Sequence, residues 1–400
     1  MSREKCVLAY SGGLDTSALV PYMTEKYGYD VIALLVDVGH MKDIEASRQR
    51  ALTVGAVESV VVDAKAEFLR EYAFEALKAN ALYENKYPLH SALSRPLIAK
   101  KMVETAQRFG VKTVAHGCTA KGNDQVRFDV SVRCLDPSVK VLGPAREWGM
   151  NRPEIIDYLA ARDIVLPLTK KNPYSIDANL WGRAIECGEL EDLWASAPND
   201  AYAFSVDAEK APNEPVEVVI GFESGLPVSL DGKTMDPVEL VEAVDGVAGA
   251  SGFGRIDMVE NRCVGIKSRE VYEAPAALSL IRAHSELENL TFPRELQRYK
   301  YFVDQRMTEL IYDGLWFSPL ADCLRAFIDE SQKCVSGDVR LRYYKGTCSV
   351  VGRRSPNSLY VDTLATYGSS DTFSHQSAVG FIELWGLPTE VWARRHQGLL

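Results

Sequence analysis

The eight cysteines of this 400-residue chain lack any C-x-x-C spacing. Without that spacing the sequence indicates neither a zinc ribbon nor a dithiol redox motif, and scattered thiols are typical of a reducing compartment. The six histidines show no metal-ligand spacing. No apolar run approaches the roughly 20 residues of a membrane-spanning helix, and no signal-peptide pattern is present. We therefore expect a cytoplasmic protein without a membrane partner or a metal cluster of its own.

An excess of basic residues is also lacking. The chain has 45 lysines and arginines against 55 aspartates and glutamates, a formal net charge of −10. This balance argues against a nucleic-acid partner and favours small-molecule chemistry. Hydrophobic residues make up 46% of the chain, so that length and composition indicate a globular protein of two or three domains.

The most informative segment present is A-Y-S-G-G-L-D-T-S, which follows the apolar run Cys6–Leu8 and precedes a predicted helix. Its nine residues are Ala9, Tyr10, Ser11, Gly12, Gly13, Leu14, Asp15, Thr16 and Ser17. The glycine pair permits close backbone approach to a ligand, and the hydroxyls and the free N–H groups of a helix start attract an anion. The segment therefore indicates a phosphate site, the alternative being an ordinary glycine turn with a Ser/Thr helix cap.

This segment is not a Walker A loop, because the G-x-x-x-x-G-K-[ST] spacing and its lysine are missing. It has the form S-G-G-x-D-[ST]-S, which resembles the pyrophosphate loop of enzymes that cut ATP to AMP and pyrophosphate. We therefore expect the bound phosphate to be that of ATP.

Strand-like and helix-like segments alternate through the first part of the chain. The apolar strand patterns cover residues 31–36, 59–62 and 112–115, and the helical patterns cover 45–54, 66–79 and 95–109. Such alternation predicts an α/β fold, a doubly wound parallel sheet with helices on both faces. The Ser11 loop, the turn Asp37–Gly39 and the segment from His116 each follow a strand, so we expect them to share the ligand-binding edge of the sheet.

The sequence pattern changes near Pro167 and Pro173, after which helix and strand patterns alternate less regularly. We predict a nucleotide-binding domain over residues 1–165, a second α+β domain over 166–360 and a C-terminal arm over 361–400. The arm contains Trp385 and Trp392, which suits packing either on a neighbouring subunit or on its own chain.

A second polar cluster, H-G-C-T-A-K-G-N-D-Q-V-R-F, begins at His116. Asn123 can donate and accept, Asp124 can hold an amine, and Arg127 can bind a carboxylate in a fork. Together these groups suit an α-amino acid, although a polar loop with an Asp cap is the alternative.

These two motifs make the chain resemble the argininosuccinate synthase family. Three further segments carry the resemblance: N-P-Y-S-I-D-A-N-L-W-G-R from Asn172, G-R-I-D-M-V-E-N-R from Gly254 and K-S-R-E-V-Y-E-A-P from Lys267. The resemblance implies a synthetase domain after the nucleotide-binding domain and an oligomerisation arm that helps to hold a homotetramer. It implies ATP-dependent joining of citrulline and aspartate, with Mg²⁺, through citrullyl-AMP, in arginine biosynthesis.

The resemblance also implies roles for individual residues. Residues 9–17, Val36 and Gly117 would bind ATP, and Thr119, Asn123 and Asp124 would contact aspartate. Citrulline would contact Tyr87, Asn123, Arg127, Ser175, Glu260 and Tyr272. The candidate catalytic residues are Asp15, Asp124 and Arg127, with Asp124 orienting the aspartate amine or taking its proton.

Three alanines depart from the family pattern. Ala92 replaces a serine near citrulline, Ala184 replaces another serine expected after the N-L pair, and Ala120 replaces a glycine. We expect all three to be tolerated, provided that the backbone at Ala120 accepts a β-carbon.

Two other functions stay open on the residues alone. Another ATP-to-AMP enzyme is one of them, although the acidic charge and the missing C-x-x-C argue against a tRNA thiolase. Ser2 stands where one class of glutamine amidotransferase needs a cysteine nucleophile. The other alternative is a non-catalytic sensor of nucleotide or amino acid.

Overall fold

The computed structural model describes residues 3–41, 43–164 and 174–400. The chain divides into two compact units, the first ending at Asn357 and the second covering Ser358–Leu400. The predicted boundary between residues 165 and 166 lies outside the described residues, so the domain limits stay a prediction.

A five-stranded parallel sheet forms the N-terminal part of the first unit, which confirms the predicted α/β class. Its strands are β1 (Lys5–Ala9), β2 (Asp30–Asp37), β3 (Glu58–Asp63), β4 (Thr113–Ala115) and β5 (Lys140–Leu142). They lie in the order β3-β2-β1-β4-β5, with every neighbouring pair parallel. Because the order reverses between β1 and β4, a crevice for a ligand opens beyond the carboxyl ends of these two strands.

Helices cover both faces of this sheet. The helices are α1 (Leu14–Tyr27), α2 (Ile44–Thr53), α3 (Lys65–Phe68), α4 (Phe74–Lys78), α5 (His90–Arg108), α6 (Asp124–Leu135) and α7 (Arg152–Ala160). In β2, Ile32 and Leu34 enter a core shared with α5, whereas Val31 and Ala33 enter another core shared with α1. A strand buried on both faces has to be apolar at successive positions, which explains the continuous run from residue 31 to 36.

Two helices differ from the predicted pattern. The helix predicted over residues 66–79 is interrupted by a π-helical turn, Leu69–Ala73, between α3 and α4. Helix α5 begins five residues before the predicted start, at His90, after Leu89 takes a left-handed conformation with φ 65°. The earlier start matters because it places His90, Ser91 and Arg95 in the first two turns, next to the candidate site.

Two antiparallel sheets follow the parallel one, as expected for the second α+β part. Their strands are β6 (Ser175–Asn179), β7 (Gly182–Glu186), β8 (Val216–Glu223), β9 (Leu226–Leu230), β10 (Lys233–Thr234), β11 (Arg255–Asn261), β12 (Lys267–Glu273), β13 (Gly337–Tyr344) and β14 (Thr347–Arg354). One sheet has the order β10-β9-β8-β13-β14 and the other β11-β12-β7-β6. Helices α8 (Pro237–Ala250), α9 (Pro275–Thr291), α10 (Arg294–Tyr312) and α11 (Pro319–Gln332) accompany them.

The four-stranded sheet supplies one wall of the candidate site. In its register Tyr272 of β12 pairs with Ala184 of β7, which pairs with Asp177 of β6. Side chains of directly paired residues point to the same face of a sheet, and Ser175, two residues before Asp177, shares that face. Helix α5 packs against β6 and β7, so this row of side chains lies near its N-terminus.

The second unit contains α12 (Asp362–Ala365) and the 22-residue α13 (His375–His396). None of the described residues of α13 is buried, and its exposed apolar side chains include Phe381, Ile382 and Leu384. Among the helices in the described ranges, none is long and apolar enough to cross a membrane.

Candidate active site

The glycine segment forms a loop between β1 and α1, as the sequence predicted. Gly12 has φ 76°, a left-handed conformation that favours glycine, and Gly13 is the extended N-cap of α1. The Ser11 and Thr16 hydroxyls lie 3.1 Å apart, and the Gly13 N–H donates to Ser11 Oγ at 3.3 Å. Backbone N–H groups and hydroxyls therefore surround the start of α1, which is suited to an anion.

Not all hydroxyls of the segment face the loop. Ser17 is fully buried, and its Oγ lies 2.8 Å from the hydroxyl of Tyr10. These two residues therefore fix β1 against α1, whereas the exposed Ser11 and Asp15 face solvent at the loop.

Arg50 of α2 supplies positive charge next to this loop. Its Nη1 donates to the carbonyl oxygen of Gly12 at 2.5 Å. A β-carbon on Gly12 would lie 2.7 Å from Ser47 Oγ, which is also on α2. The loop is thus held close to α2, and the guanidinium provides the local positive charge that an anion needs on an acidic protein.

The segment after β4 lies beside the glycine loop, as the strand pattern predicted, and β2 is the parallel neighbour of β1. Val36 is buried near the end of β2, and the following Asp37 binds Lys65 Nζ at 2.7 Å. A β-carbon on Gly117 would lie 3.1 Å from Thr16 Cγ2. The second motif therefore starts in contact with the first.

His116 is buried and its ring is fully occupied by protein groups. The Cys118 N–H donates to Nδ1 at 3.2 Å, and Nε2 lies 2.9 Å from both Asp129 Oδ1 and Arg146 Nη2. The ring also stacks on Phe128 at 5.4 Å. We interpret His116 as a structural residue that orders this loop.

Asp124, the first residue of α6, lies between two guanidinium groups. Its Oδ1 accepts from Arg127 Nη1 at 2.9 Å and its Oδ2 from Arg95 Nε at 2.9 Å. Burial favours a higher pKa for the Asp124 carboxyl, but the charges of Arg95 and Arg127 outweigh it and lower the pKa to about 2. Asp124 is therefore ionised throughout the neutral range.

Arg127 is buried and keeps one donor unused. Its Nε donates to the Tyr312 carbonyl oxygen at 2.9 Å, and its guanidinium carbon lies 4.9 Å from the Tyr312 ring centroid. Its Nη2 has no hydrogen-bond partner within the part of the chain that the structure describes. An unpaired buried donor is costly, so Nη2 indicates where an anionic ligand group would bind.

Glu260 and two tyrosines connect the four-stranded sheet to this pocket. The hydroxyls of Tyr272 and Tyr312 each donate to Glu260 at 2.7 Å. Burial raises the pKa of Glu260, and these two hydrogen bonds oppose the rise. Asn123 Nδ2 donates to the Tyr312 hydroxyl at 2.9 Å, so the N-cap of α6 joins the same network.

The remaining predicted residues lie around this network. Tyr87 stacks on Tyr272 with ring centroids 4.3 Å apart. Thr119 is exposed on the loop before α6, and Ser175 is exposed at the start of β6. The structure thus brings Tyr87, Asn123, Asp124, Arg127, Glu260 and Tyr272 together and places Thr119 and Ser175 at their edge.

The three departing alanines have different surroundings. Ala92 is buried in α5, whereas Ala184 lies between Asp177 and Tyr272 in the sheet register. Within the described ranges, Ala120 is not one of the non-glycine residues with positive φ. Its backbone therefore accepts a β-carbon.

Four residues of the site were missed in the sequence: Arg50, Arg95, Asp177 and Tyr312. Arg50, Arg95 and Tyr312 are joined to predicted residues by contacts between distant segments, and Asp177 is joined to Arg95. No local signal finds them, because helical periodicity does not distinguish a partly buried arginine from an exposed one.

Known protein families match two stretches of the chain. Residues 5–165 match the arginosuccinate synthase N-terminal HUP domain, and residues 174–392 match the arginosuccinate synthase C-terminal domain. The chain is 55% identical to an argininosuccinate synthase of Oceanobacillus iheyensis, over 98% of this chain and 94% of that protein. It is also 55% identical to one of Thermosynechococcus vestitus, over 98% of both chains, and 53% identical to one of Brevibacillus brevis, over 100% of this chain and 96% of that protein.

Proposed function

This chain belongs to the argininosuccinate synthase family, and we propose that the residues of the candidate site carry out that family's reaction in two steps. The enzyme is a ligase that joins citrulline to aspartate, with ATP as co-substrate and AMP and pyrophosphate as products. The observation that supports the assignment of residues is the close approach of Gly117 to Thr16, since a β-carbon on Gly117 would lie 3.1 Å from Thr16 Cγ2. The glycine loop and the segment that leads to α6 are therefore neighbours, as the proposed site requires.

Residues 9–17, Val36 and Gly117 bind ATP in this proposal. The N–H groups and hydroxyls at Ser11 to Thr16 hold the pyrophosphate part, and the buried end of β2 at Val36 flanks adenine. Phosphoryl transfer depends on positioning and charge stabilisation more than on a protein nucleophile. The fixed geometry of the loop and Arg50 suit that requirement.

Mg²⁺ is part of the proposal through its affinity for phosphate oxygens. In the described ranges, no group of three or more His, Cys, Asp or Glu could hold a metal ion. Mg²⁺ typically keeps several waters and binds through substrate phosphates with one or two carboxylates, and the exposed Asp15 in the first turn of α1 fits that role. When bound, the ion would neutralise charge on the leaving pyrophosphate.

In the first step the ureido oxygen of citrulline attacks the α-phosphorus of ATP, the bond to the β-phosphate oxygen breaks, and pyrophosphate leaves. Tyr87, Asn123, Arg127, Ser175, Glu260 and Tyr272 hold citrulline. Arg127 Nη2 binds its carboxylate, because this buried donor is unpaired. The stacked rings of Tyr87 and Tyr272 line the pocket and exclude water.

In the second step the neutral amine of aspartate attacks the ureido carbon and AMP leaves with the ureido oxygen. Thr119, Asn123 and Asp124 hold aspartate. A carboxylate with a pKa of about 2 is a weak base, so Asp124 orients the amine, and the proton that the nitrogen loses passes to the leaving phosphate or to water. Full turnover of Asp124→Asn at saturating aspartate would contradict this role.

Pyrophosphate release tests the function directly. We expect release from ATP to require citrulline, and argininosuccinate to form only when aspartate is added. Release with aspartate alone, or with neither amino acid, would favour a different substrate pair. Binding of ATP or citrulline without any pyrophosphate, measured by titration calorimetry, would favour a sensor.

The assembly and location are also proposals. We propose a homotetramer held partly by the C-terminal arm, because the described residues of α13 expose their apolar side chains. The free, scattered cysteines support a reducing cytoplasmic location.

A further inference from the structure

Asp177 on β6 is a carboxylate beside the site, and one of its oxygens accepts no hydrogen bond within the described residues. Its Oδ2 accepts from Arg95 Nη2 at 2.6 Å and from Ser91 Oγ at 2.6 Å. Within the residues that the structure describes, Oδ1 receives no hydrogen bond, and the side chain is 37% exposed. Two donors of α5 therefore hold the carboxylate in place, while its second oxygen is free to accept a hydrogen bond from a ligand.

The charges around the pocket do not balance. Two guanidinium groups, of Arg95 and Arg127, face three carboxylates, of Asp124, Asp177 and Glu260. Asp124 uses both oxygens on the arginines, and Glu260 uses both on tyrosine hydroxyls. Of the three, Asp177 is the carboxylate with an oxygen that accepts no hydrogen bond within the described residues, and a positively charged ligand group would supply the missing donor.

The pocket also has an unused donor, Nη2 of Arg127. Arg127 and Asp177 are connected through Asp124 and Arg95, so the free donor and the free acceptor belong to one network. A free guanidinium N–H suits a carboxylate and a free carboxylate oxygen suits an ammonium group. An amino acid carries both of these groups, an α-carboxylate and an α-ammonium, so its chemistry would satisfy the donor and the acceptor.

The sheet register indicates which amino acid this is. Asp177 lies in one row with Ala184 and Tyr272, and it shares a face with Ser175, both on the side proposed for citrulline. Between them β7 contributes the small, apolar side chain of Ala184. The proposed aspartate contacts lie instead on the loop before α6 and at its first residue.

We propose that Asp177 Oδ1 binds the α-ammonium group of citrulline, and that Arg95 and Ser91 act as positioning residues for Asp177. This inference rests on the function proposed above. It adds a substrate-binding residue that contacts the amino-acid end of citrulline, away from the reacting ureido group.

The test compares citrulline with 5-ureidopentanoate, which lacks only the α-amino group. Binding of each ligand is measured by titration calorimetry, with a non-hydrolysable ATP analogue present, for the wild type and for Asp177→Asn. A charge-assisted hydrogen bond of this kind predicts about 10- to 100-fold weaker citrulline binding by the variant. The affinity for 5-ureidopentanoate should change less than about 2-fold, because that ligand has no ammonium group for Asp177 to bind.

A matched control is Asp257→Asn on β11, since Asp257 pairs with Arg269 outside the site. It should bind both ligands as the wild type does. If Asp177→Asn weakened the binding of both ligands equally, with ATP affinity unchanged, Asp177 would be structural. That result would overturn the role of Asp177 but not the proposed function. A wild type that neither binds citrulline nor releases pyrophosphate would instead overturn the proposed function, and the inference with it.

Discussion

At the residue scale, Gly12 combines two requirements that only glycine meets. It has φ 76°, and a β-carbon there would lie 2.7 Å from Ser47 Oγ. We predict that Gly12→Ala moves the loop away from α2 and raises the KM for ATP about 10-fold, in addition to a stability loss of about 1–2 kcal/mol from the left-handed alanine. Initial rates of pyrophosphate release at varied ATP measure the effect.

Gly28→Ala is the matched control for this prediction. Gly28 has nearly the same φ, 73°, but no atom lies within 4 Å of its added β-carbon. It should therefore lose similar stability with an unchanged KM for ATP. Equal KM values in the two variants would contradict the role of the loop position.

Asp124 is a single residue that makes the stability of the folded protein depend on pH. Its folded pKa is lowered from an ordinary value near 3.8 to about 2. A lowered folded pKa contributes stability above the unfolded pKa, and this contribution is lost as the pH falls from about 4 towards 2. The difference corresponds to about 2 kcal/mol at neutral pH.

We therefore predict that the stability difference between the wild type and Asp124→Asn narrows below pH 4. Urea denaturation at pH 6, 5, 4 and 3 measures this difference. Other acidic groups, such as Asp129, are present in both proteins and cancel in the comparison. A difference that stays constant down to pH 3 would show that Arg95 and Arg127 do not hold Asp124 ionised.

At the scale of elements, Glu273 joins β12 to the segment around Ala203. It is fully buried and accepts hydrogen bonds from the backbone N–H groups of Ala203, Phe204 and Ser205. It also pairs with Arg183 of β7 at 2.8 Å. Every partner is a donor, so both carboxylate oxygens are needed.

We predict that Glu273→Gln destabilises the protein by about 3–5 kcal/mol, because its amide group faces donors and leaves Arg183 without a counter-charge. Urea denaturation measures the loss. Glu223→Gln, at the exposed end of β8, is the control and should change stability by less than about 0.5 kcal/mol. A loss in Glu273→Gln no larger than in that control would mean that the segment is held by other contacts.

The elements also show what a sequence can and cannot predict. The run from residue 31 to 36 predicted β2 because a doubly covered strand has to be apolar throughout. The glycine loop was predictable because its φ and its helix start are local properties. Arg95 and Asp177 were not, since their pairing joins positions 82 residues apart in the chain, and no local pattern encodes such a contact. The early start of α5 was missed for the same reason, since its first turn is stabilised by contacts such as that of Ser91 with Asp177.

At the scale of the whole molecule, three arginines lie at the candidate site of an acidic chain. The chain carries a net charge of −10, yet Arg50, Arg95 and Arg127 all lie at the glycine loop or the amino-acid pocket. An acidic surface repels anions in general, so local guanidinium groups are needed to hold ATP and two amino acids. This arrangement explains how an acidic protein can use three substrates that all carry carboxylate or phosphate groups.

The C-terminal unit contains a helix whose exposed apolar side chains suit contacts between copies of the chain. A 22-residue helix with Phe381, Ile382 and Leu384 exposed would be an unusually large apolar surface for a monomer. If these side chains pack on neighbouring copies, truncation before Val361 should replace the tetramer by smaller species in light scattering. The first unit is compact without this segment, so the truncated protein should still fold and bind ATP. Replacement of the exposed Arg394 by Ala should leave the assembly unchanged, and a truncated protein of unchanged assembly size would mean that other surfaces hold the copies together.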